Sequence, residues 1–319
     1  MKTFKLSLTE ADVQPRQAHP SEYLLHPELA GAVEVAFSLG QPLLLTGEPG
    51  TGKTRLAHKL AWDLSQQHPS FLPEPLIFHT KTQSVAQDLF YTYDALGHFQ
   101  AANLKTEDAP TTHSPTDFIQ LQALGKAIAL TNESEVEKGR FLQAETPRSS
   151  LVLIDEIDKA PRDFPNDILH EIEHGEFSIK EAGHYRIKKG QDHRILVIMT
   201  SNSEKNLPEP FLRRCVFYHI PFPSRQQLLG IVASQLGEEA ADTSEAWVDH
   251  FLTIRDRVQK KKPATAELIA WLRVLELQEL LKPEVDLRRL SKRQQAKLRI
   301  SYAVLAKHPE DAKVIKQIR

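Results

Sequence analysis

Pro42-Leu43-Leu44-Leu45-Thr46-Gly47-Glu48-Pro49-Gly50-Thr51-Gly52-Lys53-Thr54 joins three unlike pieces in thirteen residues. The apolar run at 43–46 reads as a buried strand, and residues 55–64, with Leu56, Leu60 and Leu64, carry helical spacing. Between them, Gly47, Glu48, Pro49, Gly50, Thr51, Gly52, Lys53 and Thr54 form a phosphate-binding loop. Glycines let backbone N–H groups close on a polyphosphate, and the helix that follows offers the positive end of its dipole. Lys53 supplies a mobile cation and Thr54 a hydroxyl suited to a metal ion.

The surrounding composition is that of a soluble globular chain. Its 319 residues are 40% hydrophobic, enough for one large core or two ordinary ones. No apolar run approaches the roughly 18 residues of a membrane span, and residues 1–6 lack a secretory apolar region. A cytoplasmic location is expected. Cys215 is the sole cysteine, which excludes an internal disulfide and any zinc site built on several thiolates. The net charge of −2 is unevenly spread: residues 255–319 hold 17 Lys and Arg against 8 Asp and Glu. Solvated helix faces account for such a bias, as would an acidic partner, a neighbouring subunit or nucleic acid.

Outward from the loop the chain reads as alternating strands and helices. Residues 1–20 are a polar leader, and residues 21–39 are helical up to Gly40 and Pro42. Residues 75–80 form a second buried strand, parallel to the first by the right-handed crossover rule. Residues 81–145 read as a helix with a helical insertion at about 88–130, carrying an aromatic patch (Phe90, Tyr91, Tyr93), a polar loop at 106–115 and an amphipathic run at 118–129. Leu151-Val152-Leu153-Ile154 is a third strand and delivers Asp155 and Glu156 to its C-terminal edge, where open parallel sheets bind ligands. Adjacent carboxylates on a strand point differently. Asp155 is placed to hold Mg²⁺ through its water shell and Glu156 to orient or deprotonate an attacking water.

The helix expected at 163–174 contains His170-Glu171-Ile172-Glu173-His174, a match to the zinc-protease pattern with His184 and Glu181 as conceivable third ligands. Its place after the acidic strand favours an ordinary helix ended by Gly175. Residues 176–188 alternate about Gly183 as a hairpin, and residues 194–202 form a strand ending in Asn202, whose amide would face a terminal phosphate or the water. A short helix at 207–214 ends in Arg213 and Arg214, followed by a strand at 215–220. Beyond Ser224 only helical periodicity remains, at 226–236, 244–258, 264–281 and about 290–306.

Together these residues resemble the AAA+ ATPases, and the phrases PLLLTGEPGTGKT and FLRRCVFYHIPFP, with the hairpin, resemble the MoxR family of the dynein-related branch. The resemblance spans residues 23–281. It implies an α/β fold: a P-loop AAA+ domain (1–223) with a parallel five-stranded sheet sandwiched by helices and a hairpin insertion, and a small all-α lid (224–319). Lys53 and Thr54 then serve as Walker A, Asp155 and Glu156 as Walker B, with Thr54 and Asp155 holding Mg²⁺ and Asn202 as sensor 1. Arg214, with Arg213 as runner-up, is the finger reaching a neighbour's ATP. The family implies a homo-oligomeric ring, usually a hexamer, a protein substrate and a von Willebrand factor A domain partner. The hairpin and the segment after Asp88 are the expected contact surfaces. Where the family carries a sensor 2 arginine, Pro263-Ala264-Thr265-Ala266-Glu267-Leu268 has none, and Lys261, Lys262 and Arg273 are the nearby cations. That departure leaves a nucleotide-switched adaptor with little turnover as an alternative, and the basic C-terminal helices leave action on nucleic acid as another.

Overall fold

The strand β1 (Leu43–Gly47) is buried along its whole length, which is why it reads as a continuous apolar run rather than an alternating one. In the computed structural model, which describes residues 19–103, 114–202 and 207–318, it lies inside a five-stranded sheet. Most of the expected leader (1–18) and of the expected polar loop (106–113) lie outside the described residues. The other strands are β2 (Leu76–His79), β5 (Ser150–Asp155), β8 (Ile195–Ser201) and β9 (Val216–Ile220), in the order β2-β5-β8-β1-β9 and all parallel. Leu44, Val152, Ile154, Val197 and Met199 recur at alternate positions and join one core cluster with Leu124, Ile128, Phe164, Ile168 and Phe177. Their strand neighbours Leu43, Leu45, Leu151, Leu153 and Ile198 are fully buried too, so the sheet is covered on both faces. This is the expected α/β architecture, and it sets the ends of β1, β5 and β8 side by side.

Helices flank the sheet. Among them are α1 (Pro27–Leu39), which touches β1 and β9, and α2 (Lys53–Gln67), which follows the loop and touches β5. The stretch expected as a helical insertion is only partly so. Besides α3 (Ala95–Asn103) and α4 (Ala123–Leu130), it holds an antiparallel ribbon of β3 (Tyr91–Tyr93) and β4 (Ile119–Leu121), paired as Tyr91↔Leu121 and Tyr93↔Ile119. Three-residue strands are too short for their alternation to show in a periodicity window. The helix expected at 163–174 divides at Ile168 into α6 (Phe164–Asp167) and α7 (Leu169–His174), after the short α5 (Glu133–Lys138). The hairpin is β6 (Glu176–Ile179) against β7 (Tyr185–Lys188), and the arginine helix is α8 (Glu209–Leu212).

By contacts the chain falls into two compact units, one of Leu25–Gly47 and Lys53–Ile220, the other including Glu48–Gly52 and Pro221–Arg319. The second unit is helical: α9 (Arg225–Leu236), α10 (Glu238–Arg257), α11 (Thr265–Leu277), α12 (Lys292–Ser301) and α13 (Pro309–Gln317). Its core holds Trp247, Phe251, Trp271 and Leu272, with the two indoles edge to face at 5.9 Å. The last helix escapes the sequence reading because Pro309 looks like a stop. Instead it occupies the first helical position, where its missing N–H costs nothing, and the His308 ring accepts the Glu310 N–H at 3.2 Å.

Candidate functional site

Asp155 ends β5 between β2 and β8, with Ile154 in register with Met199 and His79 with Asp155. Three elements therefore deliver side chains to its carboxylate. Thr54, in the first turn of α2, donates its hydroxyl to both carboxylate oxygens at 3.3 Å. Thr200, at the end of β8 and fully buried, donates at 2.6 Å. His79, largely exposed, stands 3.6 Å away. A hydroxyl and a carboxylate converging on one point are hard oxygen donors of the kind Mg²⁺ takes while keeping several waters.

Glu156 leaves the strand. Its backbone is left-handed (φ 57°, ψ 50°), a conformation few non-glycine residues adopt. The divergence of the two acids thus comes from this turn rather than from strand alternation. The Glu156 N–H donates to the Thr200 hydroxyl at 2.8 Å, so one side chain braces both acids. The Glu156 carboxylate accepts the Asn202 side-chain N–H at 3.3 Å and pairs with Lys159, whose ammonium it holds above the ordinary lysine range. Asn202 is itself fixed, because its backbone N–H donates to buried Asp158 at 3.3 Å.

In the loop, Lys53 is 7% exposed and donates its ammonium to the Gly47 carbonyl at 2.7 Å. Gly50 and Gly52 have φ of 78° and 85°, the turn geometry that lines up successive N–H groups on an anion. The Thr51 hydroxyl donates to the Glu48 carbonyl at 2.9 Å. The loop thus has the backbone freedom and the cation that a polyphosphate requires.

The arginines stand apart from the acids. Arg213 is engaged by Glu209, one turn earlier on α8, through Nε at 3.1 Å and through Nη2. Arg214 is exposed and makes no ion pair among the described residues. Neither touches Lys53, Asp155 or Glu156. Of the cations near the start of α11, Lys261 and Lys262 are exposed and Arg273 is half-buried, and none is ion-paired among the described residues. The zinc pattern on α7 does not assemble: His170 and His174 stack on each other at 4.2 Å, and His174 Nδ1 donates to the His170 carbonyl at 2.8 Å. No group of three His, Cys, Asp or Glu residues among those described is placed to hold a metal, His184 and Glu181 included.

A family model described as "ATPase family associated with various cellular activities (AAA)" matches residues 43–224, more than half of the chain. The chain belongs to the AAA family. No curated protein matches it. The AAA match begins at β1 and runs past β9, so it encloses every side chain of the cluster around Asp155. Membership of the AAA family carries nucleotide binding and ATP hydrolysis in general. Four groups around these acids were not singled out in the sequence: His79, Lys159, Thr200 and Asp158. The signal for Thr200 was the polar end Thr200-Ser201-Asn202 of an otherwise apolar strand, and Asp158 lay in plain view two residues after Glu156.

Proposed function

We propose that the protein hydrolyses ATP with Mg²⁺ in a homo-oligomeric ring of MoxR type, hexameric in the usual family form, and uses that energy to remodel or activate protein partners. The observation that carries this reading is the convergence of Thr54, Asp155, Thr200, Glu156 and Asn202, joined by hydrogen bonds of 2.6–3.3 Å. In it Lys53 and the loop 47–54 hold the polyphosphate, and Thr54 and Asp155 hold the metal ion. When bound, the ion offsets charge on the phosphate oxygens. The Glu156 carboxylate takes the proton of the attacking water, kept on station by Asn202 and Lys159. Arg214 reaches the nucleotide of a neighbouring copy, and residues 224–319 act as the lid.

Support for a ring comes from the surface around the arginines, where Leu212 and Phe217 are exposed at 38% and 57%. Support for a protein partner comes from the insertion, where Leu96 and Phe99 are each exposed at 67%, and from Val85 just before it, exposed at 56%. A von Willebrand factor A domain partner rests on the MoxR resemblance. Among the described residues no helix is long and apolar enough to cross a membrane. Glu156→Gln tests the reading: phosphate release should fall by about a hundredfold or more while ATP binding persists and the assembled ring accumulates. Undiminished turnover would sink it.

A further inference from the structure

Glu48 puts a carboxylate at the tip of a loop whose other chemistry attracts anions, a local contradiction in charge. Arg255 on α10 resolves it. Its Nη2 donates to Glu48 Oε2, its Nη1 donates to the Pro263 carbonyl at 2.6 Å, and its guanidinium lies 3.6 Å over the Phe222 ring. The Arg255 side chain is 8% exposed against 46% for Glu48. Gripped on three sides, this is a fixed charge with a defined aim, unlike a long surface side chain that moves with its solvent. Both residues belong to the same compact unit, which holds Glu48–Gly52 but neither β1 nor α2.

The loop tip is seated as closely as it is charged. A Cβ placed on Gly50 would come within 3.0 Å of Ala264 Cβ, and one on Gly52 within 3.1 Å of Tyr23 Cε2. Ala264 and Tyr23 lie in the same compact unit as Arg255, so the tip that carries Glu48 is packed on the unit that supplies the guanidinium.

We propose that Arg255 is a positioning residue for nucleotide binding, which neutralises Glu48 and so permits an acid in the polyphosphate loop. The proposal rests on the reading of that loop given above. Its signature is a rescue pattern that packing alone would not produce. In the full chain with Mg²⁺ and a fluorescent ATP analogue, Arg255→Met, which keeps the aliphatic stem, should weaken binding by about tenfold. Glu48→Gln removes the loop's negative charge and leaves Arg255 in place, so it should bind the analogue more tightly than the parent does, and Glu48→Gln combined with Arg255→Met should recover most of the loss. A double variant as weak as Arg255→Met would overturn the proposal. If Arg255→Met does not fold, Glu48→Asp withdraws the carboxylate from Arg255 by one methylene and should bind more weakly than both the parent and Glu48→Gln. Equal binding by all three would overturn the proposal. Failure of the parent protein to bind the analogue would instead remove the loop reading itself.

Discussion

The Thr200 hydroxyl donates to Asp155 at 2.6 Å and, with its lone pair, accepts the Glu156 N–H at 2.8 Å. One buried side chain on β8 thereby braces both Asp155, at the end of β5, and Glu156, in the turn that follows it. A hydroxyl suits this position because it donates and accepts at once, which a methyl group cannot do.

Thr200→Val keeps the volume and removes both bonds. Turnover should fall by about ten- to a hundredfold, the usual effect of removing a group that orients a metal-binding carboxylate, while ATP affinity changes much less. The orphaned Glu156 N–H should also cost about 1–3 kcal/mol of stability. Steady-state kinetics beside a denaturant titration checks both; a large loss of affinity with unchanged kcat would contradict the assignment.

Glu156 occupies a left-handed conformation that glycine adopts freely. Glu156→Gly should abolish turnover yet leave the unfolding free energy level or raised, by up to about 1 kcal/mol. Glu156→Ala, equally inactive, should be the less stable of the two. The reverse order in a urea titration would show that the Asn202 and Lys159 contacts outweigh the backbone strain.

Arg213 is engaged in a pair exposed at 76% and 73%, so releasing it costs little, whereas Arg214 stands unpaired among the described residues. Arg214→Ala should reduce turnover by about a thousandfold, the scale of a finger supplied from another subunit, and Arg213→Ala only mildly. Activity per subunit should rise with protein concentration in the parent. A severe defect in Arg213→Ala with a mild one in Arg214→Ala would exchange their roles.

Burial pushes the His250 ring down to about 4, and its Nε2 lies 2.7 Å from the Tyr302 hydroxyl in the helical core. Because the folded pKa lies below the unfolded value of 6.5, the unfolded chain binds the proton first. The stability His250 confers is therefore fully present above about pH 6.5 and declines as pH falls toward 4, by about 3 kcal/mol in all. His250→Gln should flatten that part of the curve. An unchanged slope between pH 6.5 and 4 would place the acid sensitivity elsewhere.

Much of the candidate site was legible because its parts are local. Gly47 to Thr54 is contiguous, Asp155 and Glu156 are adjacent, and Asn202 closes a strand with an obvious apolar body. What escaped were groups defined by a neighbour in space. Thr200 and Asp158 look like ordinary strand-end and turn residues until β5 and β8 are paired. The three-residue strands β3 and β4 hid for the same reason, since each is recognisable only by its partner.

By itself the sequence determined that a buried parallel sheet feeds a phosphate-binding loop and an acidic edge, because strand burial, helix spacing and glycine placement are properties of short contiguous stretches. Only the tertiary structure decided which groups hold the acids and which cation answers Glu48. That cation, Arg255, lies 207 positions along the chain from its partner, and no local pattern reports a contact that folding alone creates.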